Sequence, residues 1–223
     1  MKIILQTVGY GSIAVVVFGL LLFWPAGTFD YWQAWVFLAI YAAAVGSSIY
    51  WGTRNPAVLQ RRLHGGPAAE TRVAQKLAIT GLFTAFAALL IVSALDHRFG
   101  WSTLPAAVWV VGDVLVAVGL GVGILTVVEN SYAAANITVE AEQRVISTGL
   151  YGFVRHPMYF SLVIVMVGIP LALGSYWGLA GLVVGLPFLA LRIEDEENML
   201  EHELAGYPEY AQKVRYRLVP FVW

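Results

Sequence analysis

Two short stretches hold the residues that could do chemistry. The first, Ser147-Thr148-Gly149-Leu150-Tyr151-Gly152-Phe153-Val154-Arg155-His156-Pro157-Met158-Tyr159, puts a guanidinium, an imidazole and a phenol within five residues of one another. His156 precedes a proline and is biased away from helix, while Pro157 suits the first turn of the helix that follows. The N–H groups opening that helix have no internal partners and favour an anionic ligand group. By itself this stretch also reads as a capped helix start with an anchoring tyrosine and a snorkelling arginine. The second stretch, Arg192-Ile193-Glu194-Asp195-Glu196-Glu197-Asn198-Met199-Leu200, tips the balance towards a site. Arg192 and Glu196 are four apart and share a helix face, in the order that stabilises a helix less. The four acids from Glu194 to Glu197 repel one another unless cations or solvent take them up. Glu194 or Asp195 belongs to a solvated face; the Arg192/Glu196 face follows directly on an apolar run and fits that description poorly.

The elements that must position these stretches are written in the hydropathy. Of 223 residues, 59% are hydrophobic and 12% charged, against roughly 25% charged in a soluble domain. Apolar runs lie near 4–24, 30–51, 77–95, 104–128, 157–173 and 176–191. A spanning helix needs roughly 20 apolar residues, which the first four runs supply. The last two are shorter, contain Pro170 and Pro187, and read as a tight helical hairpin turning at Gly174-Ser175-Tyr176-Trp177. A re-entrant pair that never crosses is the competing reading. The expected fold is therefore all-α: a polytopic transmembrane helical bundle of about six spans, with a C-terminal cytosolic amphipathic helix and tail. Residues 1–128 form a four-helix transmembrane region that includes a basic cytosolic loop at 52–76. Residues 129–223 form a second unit holding both chemical stretches.

Charge orients the bundle. With a cytoplasmic N-terminus and six spans, every Lys and Arg except Arg98 falls on the cytosolic side, as the positive-inside rule expects. Both termini are then cytoplasmic. The run at 4–24 is too long for a signal peptide and lacks a small-residue cleavage site, so it reads as the first span. Trp24, Phe29, Tyr31, Trp32 and Trp35 read as an interfacial aromatic belt. Val58, Leu59, Arg61, Arg62 and Leu63 suit a short helix lying on the headgroups. Asp113 is an acid within a span and so a functional candidate. The tail aromatics Tyr207, Tyr210, Tyr216, Phe221 and Trp223 suit a segment lying back on the bilayer surface.

Several classes drop out. Without cysteine there are no disulfides, thiolate metal sites or cysteine nucleophiles, and no metal is expected. No basic stripe with interleaved aromatics points to nucleic acid. Gly119, Gly121 and Gly123 lack the spacing and the preceding strand of a nucleotide loop; Gly119 and Gly123 fit close helix packing.

Taken in order, Ser-x-Gly-x-Tyr-x-x-x-Arg-His-Pro-x-Tyr, a short apolar hairpin, Arg-x-x-x-Glu-Glu-x-x-Leu and Gly-Tyr-x-x-Tyr resemble the isoprenylcysteine carboxyl methyltransferase family. Membrane phospholipid methyltransferases share much of the pattern. The resemblance covers about 136–220, and Arg54-Asn55-Pro56-x-x-Leu59-x-x-Arg62 is similar to bacterial members. It implies S-adenosylmethionine as cofactor, held without a Rossmann fold between the hairpin and the cytoplasmic tail. Tyr151, Arg155, His156, Pro157, Met158 and Tyr159 would line that pocket and Glu196 would close it. Gln143, Arg144, Val145 and Ile146 would form its upstream wall, with Asn136 beyond. Gln143 and Arg144 stand where many members have histidine and threonine, and Phe160-Ser161 replaces a frequent glycine.

The same resemblance makes Arg192 the substrate-orienting arginine. A carboxylate acceptor is ionised at pH 7 and needs aiming rather than a base, and guanidinium matches it in a planar fork. An amine acceptor must lose a proton, with Glu197 or His156 as candidate bases. The expected acceptor is lipophilic or prenylated, its tail entering between spans from the bilayer. The alternatives are a phospholipid N-methyltransferase, an NADPH-dependent membrane reductase of steroid-reductase type, and a non-enzymatic bundle or transporter. The reductase would ask for clustered arginines at a 2′-phosphate. The transporter would ask for more charge within the spans than Asp113.

Overall fold

The structure, a computed structural model, describes residues 2–55, 58, 70, 72–132 and 143–223. The described residues contain no strand and seven α-helices: α1 (Lys2–Ala26), α2 (Trp32–Arg54), α3 (Val73–Phe99), α4 (Ala106–Glu129), α5 (Pro157–Ala172), α6 (Leu179–Glu203) and α7 (Tyr207–Lys213). A single 3-10 turn, Gly149–Gly152, precedes α5. Helices α1 to α4 are each long and apolar enough to cross a membrane, and α5 is a shorter apolar helix. The short helix expected at 58–63, apart from Val58, and most of the connection between α4 and the 3-10 turn lie outside the described residues.

Local chemistry sets the helix ends. α3 stops at Gly100, whose left-handed backbone (φ +64) lets its N–H reach Asp96 O at 2.8 Å. Pro157 occupies the first turn of α5, where its missing N–H costs nothing. The α5–α6 hairpin turns where the sequence places it: Gly174 has φ +76 and Ser175 N donates to Pro170 O at 2.8 Å. The acidic segment does not form a separate helix after the hairpin. α6 runs unbroken from its apolar start through Pro187 to Glu203, which fixes Arg192 and Glu196 rigidly to the bundle.

α4 and α5 pack backbone to backbone. A Cβ on Gly112 would overlap the backbone N of Ala172, and one on Gly119 would lie 2.7 Å from Val165 Cγ2 and 3.1 Å from Ser161 O. A Cβ on Gly123 would come 3.2 Å from Ser161 Oγ. Gly119 and Gly123 therefore serve close helix approach, as their spacing predicts.

The two ends of the bundle differ. One end carries Arg54, Arg72, Lys76, Arg155, Arg192 and Arg217 together with both chemical stretches. The far end carries Arg98, whose Nη1 donates to Pro25 O at 3.3 Å. Asp96, 1% exposed, ties the far end together by accepting from Ser102 N and Oγ, both at 2.7 Å, and from Ser175 Oγ at 2.5 Å. Tyr31 is no belt residue: it is fully buried, stacks on His97 at 3.8 Å and donates to Leu173 O at 2.7 Å. Trp24, Phe29, Trp32 and Trp35 are exposed, as a belt requires. The largest packed core lies towards this far end, built from Leu22, Phe23, Phe37, Leu89, Leu90, Val116, Ile169 and Leu173. The other half of the bundle holds a smaller packed cluster, Leu82, Leu189, Ile193 and Leu218, beside a large cavity.

Candidate functional site

The site is assembled at the 3-10 turn. Gly149 adopts φ +57 directly against Glu129, where any Cβ would overlap that carboxylate. Glu129 Oε2 accepts from Leu150 N at 2.8 Å, and Asn130 Nδ2 donates to Tyr151 OH at 3.1 Å. The end of α4 thus holds the turn. On its other side the C-terminal tail pairs with it: Arg155 N donates to Tyr216 O and His156 N to Arg217 O, each at 2.9 Å. Tyr210 OH donates to Tyr151 O at 2.8 Å.

Glu197 fastens α6 to this loop. Its carboxylate, 3% exposed, lies 3.1 Å from His156 Nε2, 2.9 Å from Arg155 Nη1 and 2.6 Å from Arg217 Nε. Tyr207 OH donates to the same carboxylate at 3.5 Å. Burial pushes the Glu197 carboxyl up. The hydrogen bond and charge of His156, then Arg155 and Arg217, outweigh it and leave the pKa below the ordinary carboxylate value. Burial, and then the charge on Glu197, raise the Tyr207 phenol.

Arg192 and Glu196 share a face, as their spacing predicts, and Tyr159 joins them. Arg192 Nε donates to Tyr159 OH at 3.0 Å, and Tyr159 OH donates to Glu196 Oε2 at 2.5 Å. Behind Arg192 stand two residues that the sequence reading missed. Its Nη1 donates to Glu70 Oε1 at 3.0 Å and to Gln75 Oε1 at 2.8 Å. Gln75 Nε2 also donates to Arg192 O at 3.2 Å and to Asp195 Oδ2. Arg72 Nη2 pairs with Asp195 at 2.8 Å. The guanidinium, 5% exposed at the whole residue, is thereby held in one orientation.

Arg155, His156, Tyr159, Arg192 and Glu196 border one cavity of about 790 Å³. Tyr151, Arg155, His156, Pro157, Met158, Tyr159, Gln143, Arg144, Val145, Ile146, Arg192 and Glu196 line it. Asn136 lies outside the described residues. Glu197 does not line the cavity; it sits behind the wall, holding it. Tyr207 and Tyr210 line it too, packed with Leu204, Val214 and Val145. They are 4% and 5% exposed, so this part of the tail is a wall of the site and does not lie on a surface. Asp113, in the second turn of α4, does not line the cavity.

The missed residues gave only weak signals. Glu70 is the lone acid between residues 52 and 76, and Gln75 is a polar residue just ahead of an apolar run. Nothing in the tail marks Arg217 as a partner for Glu197. The described residues contain no cluster of His, Asp or Glu that could hold a metal ion.

Away from the polar end the cavity is apolar. Phe18 of α1, Phe37 and Tyr41 of α2, Ile79 and Phe86 of α3, Val116 and Leu120 of α4, and Leu162, Val165 and Ile169 of α5 wall it. Polar groups are confined to one end and hydrocarbon lines the rest, which matches an amphipathic ligand.

No curated protein matches the chain. Residues 110–202, from α4 through the 3-10 turn and α5 to the last turn of α6, match the model of the isoprenylcysteine carboxyl methyltransferase (ICMT) family, so this part of the chain is similar to a family of membrane methyltransferases.

Proposed function

We propose that the protein is an integral membrane enzyme that moves a methyl group from S-adenosylmethionine to the carboxylate of a lipophilic or prenylated acceptor. The observation carrying this reading is the single cavity in which Arg192, Glu196, Tyr159 and His156 stand at one end of an apolar chamber. The end bearing the basic residues is cytosolic, which puts both termini in the cytoplasm. α5 and the apolar part of α6 complete six spans.

The residues fit the donor. Arg155 Nε is buried without a hydrogen-bond partner at the cavity wall, where a carboxylate could use it. Glu196 and the rings of Tyr151, Tyr159 and Tyr207 offer negative charge and π-faces to a sulfonium or ammonium. When bound, S-adenosylmethionine supplies an already activated methyl group on positively charged sulfur. What remains for the chain is alignment and exclusion of water, and orientation is worth up to roughly 7–11 kcal/mol.

Each role follows from position. Arg192 lines the cavity with its guanidinium locked by Glu70, Gln75 and Tyr159, and aims the acceptor carboxylate. Tyr207, Tyr210 and Leu204 cover the cytosolic opening. Glu197, ringed by three cationic or potentially cationic groups, clamps the wall and is poorly placed to take a proton. That arrangement favours the carboxylate acceptor over an amine.

Calorimetric titration of the detergent-purified protein with S-adenosylhomocysteine and with NADPH tests the reading. Saturable binding of the thioether and none of the dinucleotide is expected. Binding of NADPH alone, or of neither, would overturn it.

A further inference from the structure

The cavity continues well past the residues that meet the reacting groups. Its lining follows α5 from Pro157 to Ile169, a depth of about 18 Å at 1.5 Å per residue. It stops at the packed core. Phe37, Val116 and Ile169 line the cavity and belong to that core, and all three are at most 1% exposed.

Phe18 of α1 plugs this floor. Its ring centroid lies 4.9 Å from Tyr41, 5.5 Å from Phe86 and 6.2 Å from Phe37, so one side chain bridges α1, α2 and α3. All four rings line the cavity. Unlike Phe37, Phe18 is only half-buried and packs against the core from outside it. Trimming Phe37, Val116 or Ile169 would hollow the core. Trimming Phe18 lengthens the chamber.

We infer that Phe18 sets the length of acceptor tail the chamber accepts. The occupant is the hydrocarbon tail of the methyl acceptor, with its polar head at Arg192 and its far end against the Phe18 ring. This inference rests on the functional reading above. A tail that ends at the ring buries all its methylenes, each worth about fourfold in affinity for apolar transfer. A longer tail meets a wall backed by close-packed side chains, which yields only at a cost. Phe18 lies well outside the family-matched segment at 110–202, so the length preference is set by a part of the chain separate from the methyl-transfer residues.

The test uses N-acetyl-S-alkylcysteines with saturated tails rising from about eight carbons in two-carbon steps. The full-length protein is assayed for kcat/KM with labelled S-adenosylmethionine. The rise in Tm that each acceptor produces is measured as well, so tail preference is read even without turnover. S-adenosylhomocysteine binding reports that each variant is folded. The wild type is expected to gain about fourfold per methylene up to a cut-off. Phe18→Ala and the milder Phe18→Leu should move that cut-off to longer tails, and Phe18→Trp to shorter ones. Unchanged cut-offs in the folded variants, by both readouts, would overturn the inference and leave the methyltransferase reading standing. Loss of S-adenosylhomocysteine binding in the wild type would instead sink the reading on which it rests.

Discussion

Glu197 Oε1 lies 3.1 Å from His156 Nε2 across 41 residues of chain, inside a wall where both are buried. The same carboxylate takes Arg155 and Arg217, so one acid binds α6, the Arg-His-Pro turn and the tail together. Glu197→Gln leaves this cluster of cationic groups without its counter-charge. Breaking a buried pair costs about 3–5 kcal/mol, and a loss of at least about 3 kcal/mol is expected in detergent unfolding. A variant as stable as wild type would refute the clamp.

The clamp also has a pH signature. Its folded-state pKa is depressed, so its stabilisation is complete above the unfolded value of about 4.3 and fades as pH falls through the folded value. The stability gap between wild type and Glu197→Gln should be widest near neutrality and close progressively below about pH 4. A gap that does not change on acidification would show that Glu197 stabilises by packing alone.

Arg192→Ala should cut turnover by about 10²- to 10³-fold, the usual cost of losing a charged group aimed at the reacting centre, while S-adenosylhomocysteine affinity holds. Normal turnover by a folded Arg192→Ala protein would remove the arginine from the mechanism.

Gln75 stands outside the cavity and acts through Arg192. Gln75→Leu frees the guanidinium to rotate. The expected result is a fall in kcat of roughly tenfold or more, since misplacement by about 1 Å can cost 10²-fold. The KM for the methyl donor should stay constant, and an equal change in both parameters would point to general damage.

The α4–α5 contact separates two glycines of the same helix. Gly112→Ala puts a methyl into the backbone of Ala172 and should destabilise by about 1–3 kcal/mol. Gly121→Ala meets nothing within 4 Å and should be neutral or gain up to about 1 kcal/mol in helix propensity. Equal effects at the two positions would mean that the helices do not pack as described.

The sequence by itself determined the apolar helices, the hairpin turn at Gly174 and the shared face of Arg192 and Glu196. Those features rest on hydropathy, turn chemistry and the period of the helix, which are local. The ordered motifs also marked out Tyr151, Arg155, His156, Tyr159, Arg192 and Glu196, which line the polar end of the cavity. Only the tertiary structure decided what each charge faces. Glu197 moved from candidate base to clamp because Arg217, 20 residues away, folds back onto it. Glu70 and Gln75 joined Arg192 across more than 115 residues. Tyr207 and Tyr210 became walls of the cavity, and Tyr31 part of the far-end core, because packing, which no local pattern encodes, covers them. A side chain's type fixes what it can pair with; its partner is chosen by where distant segments of the chain meet.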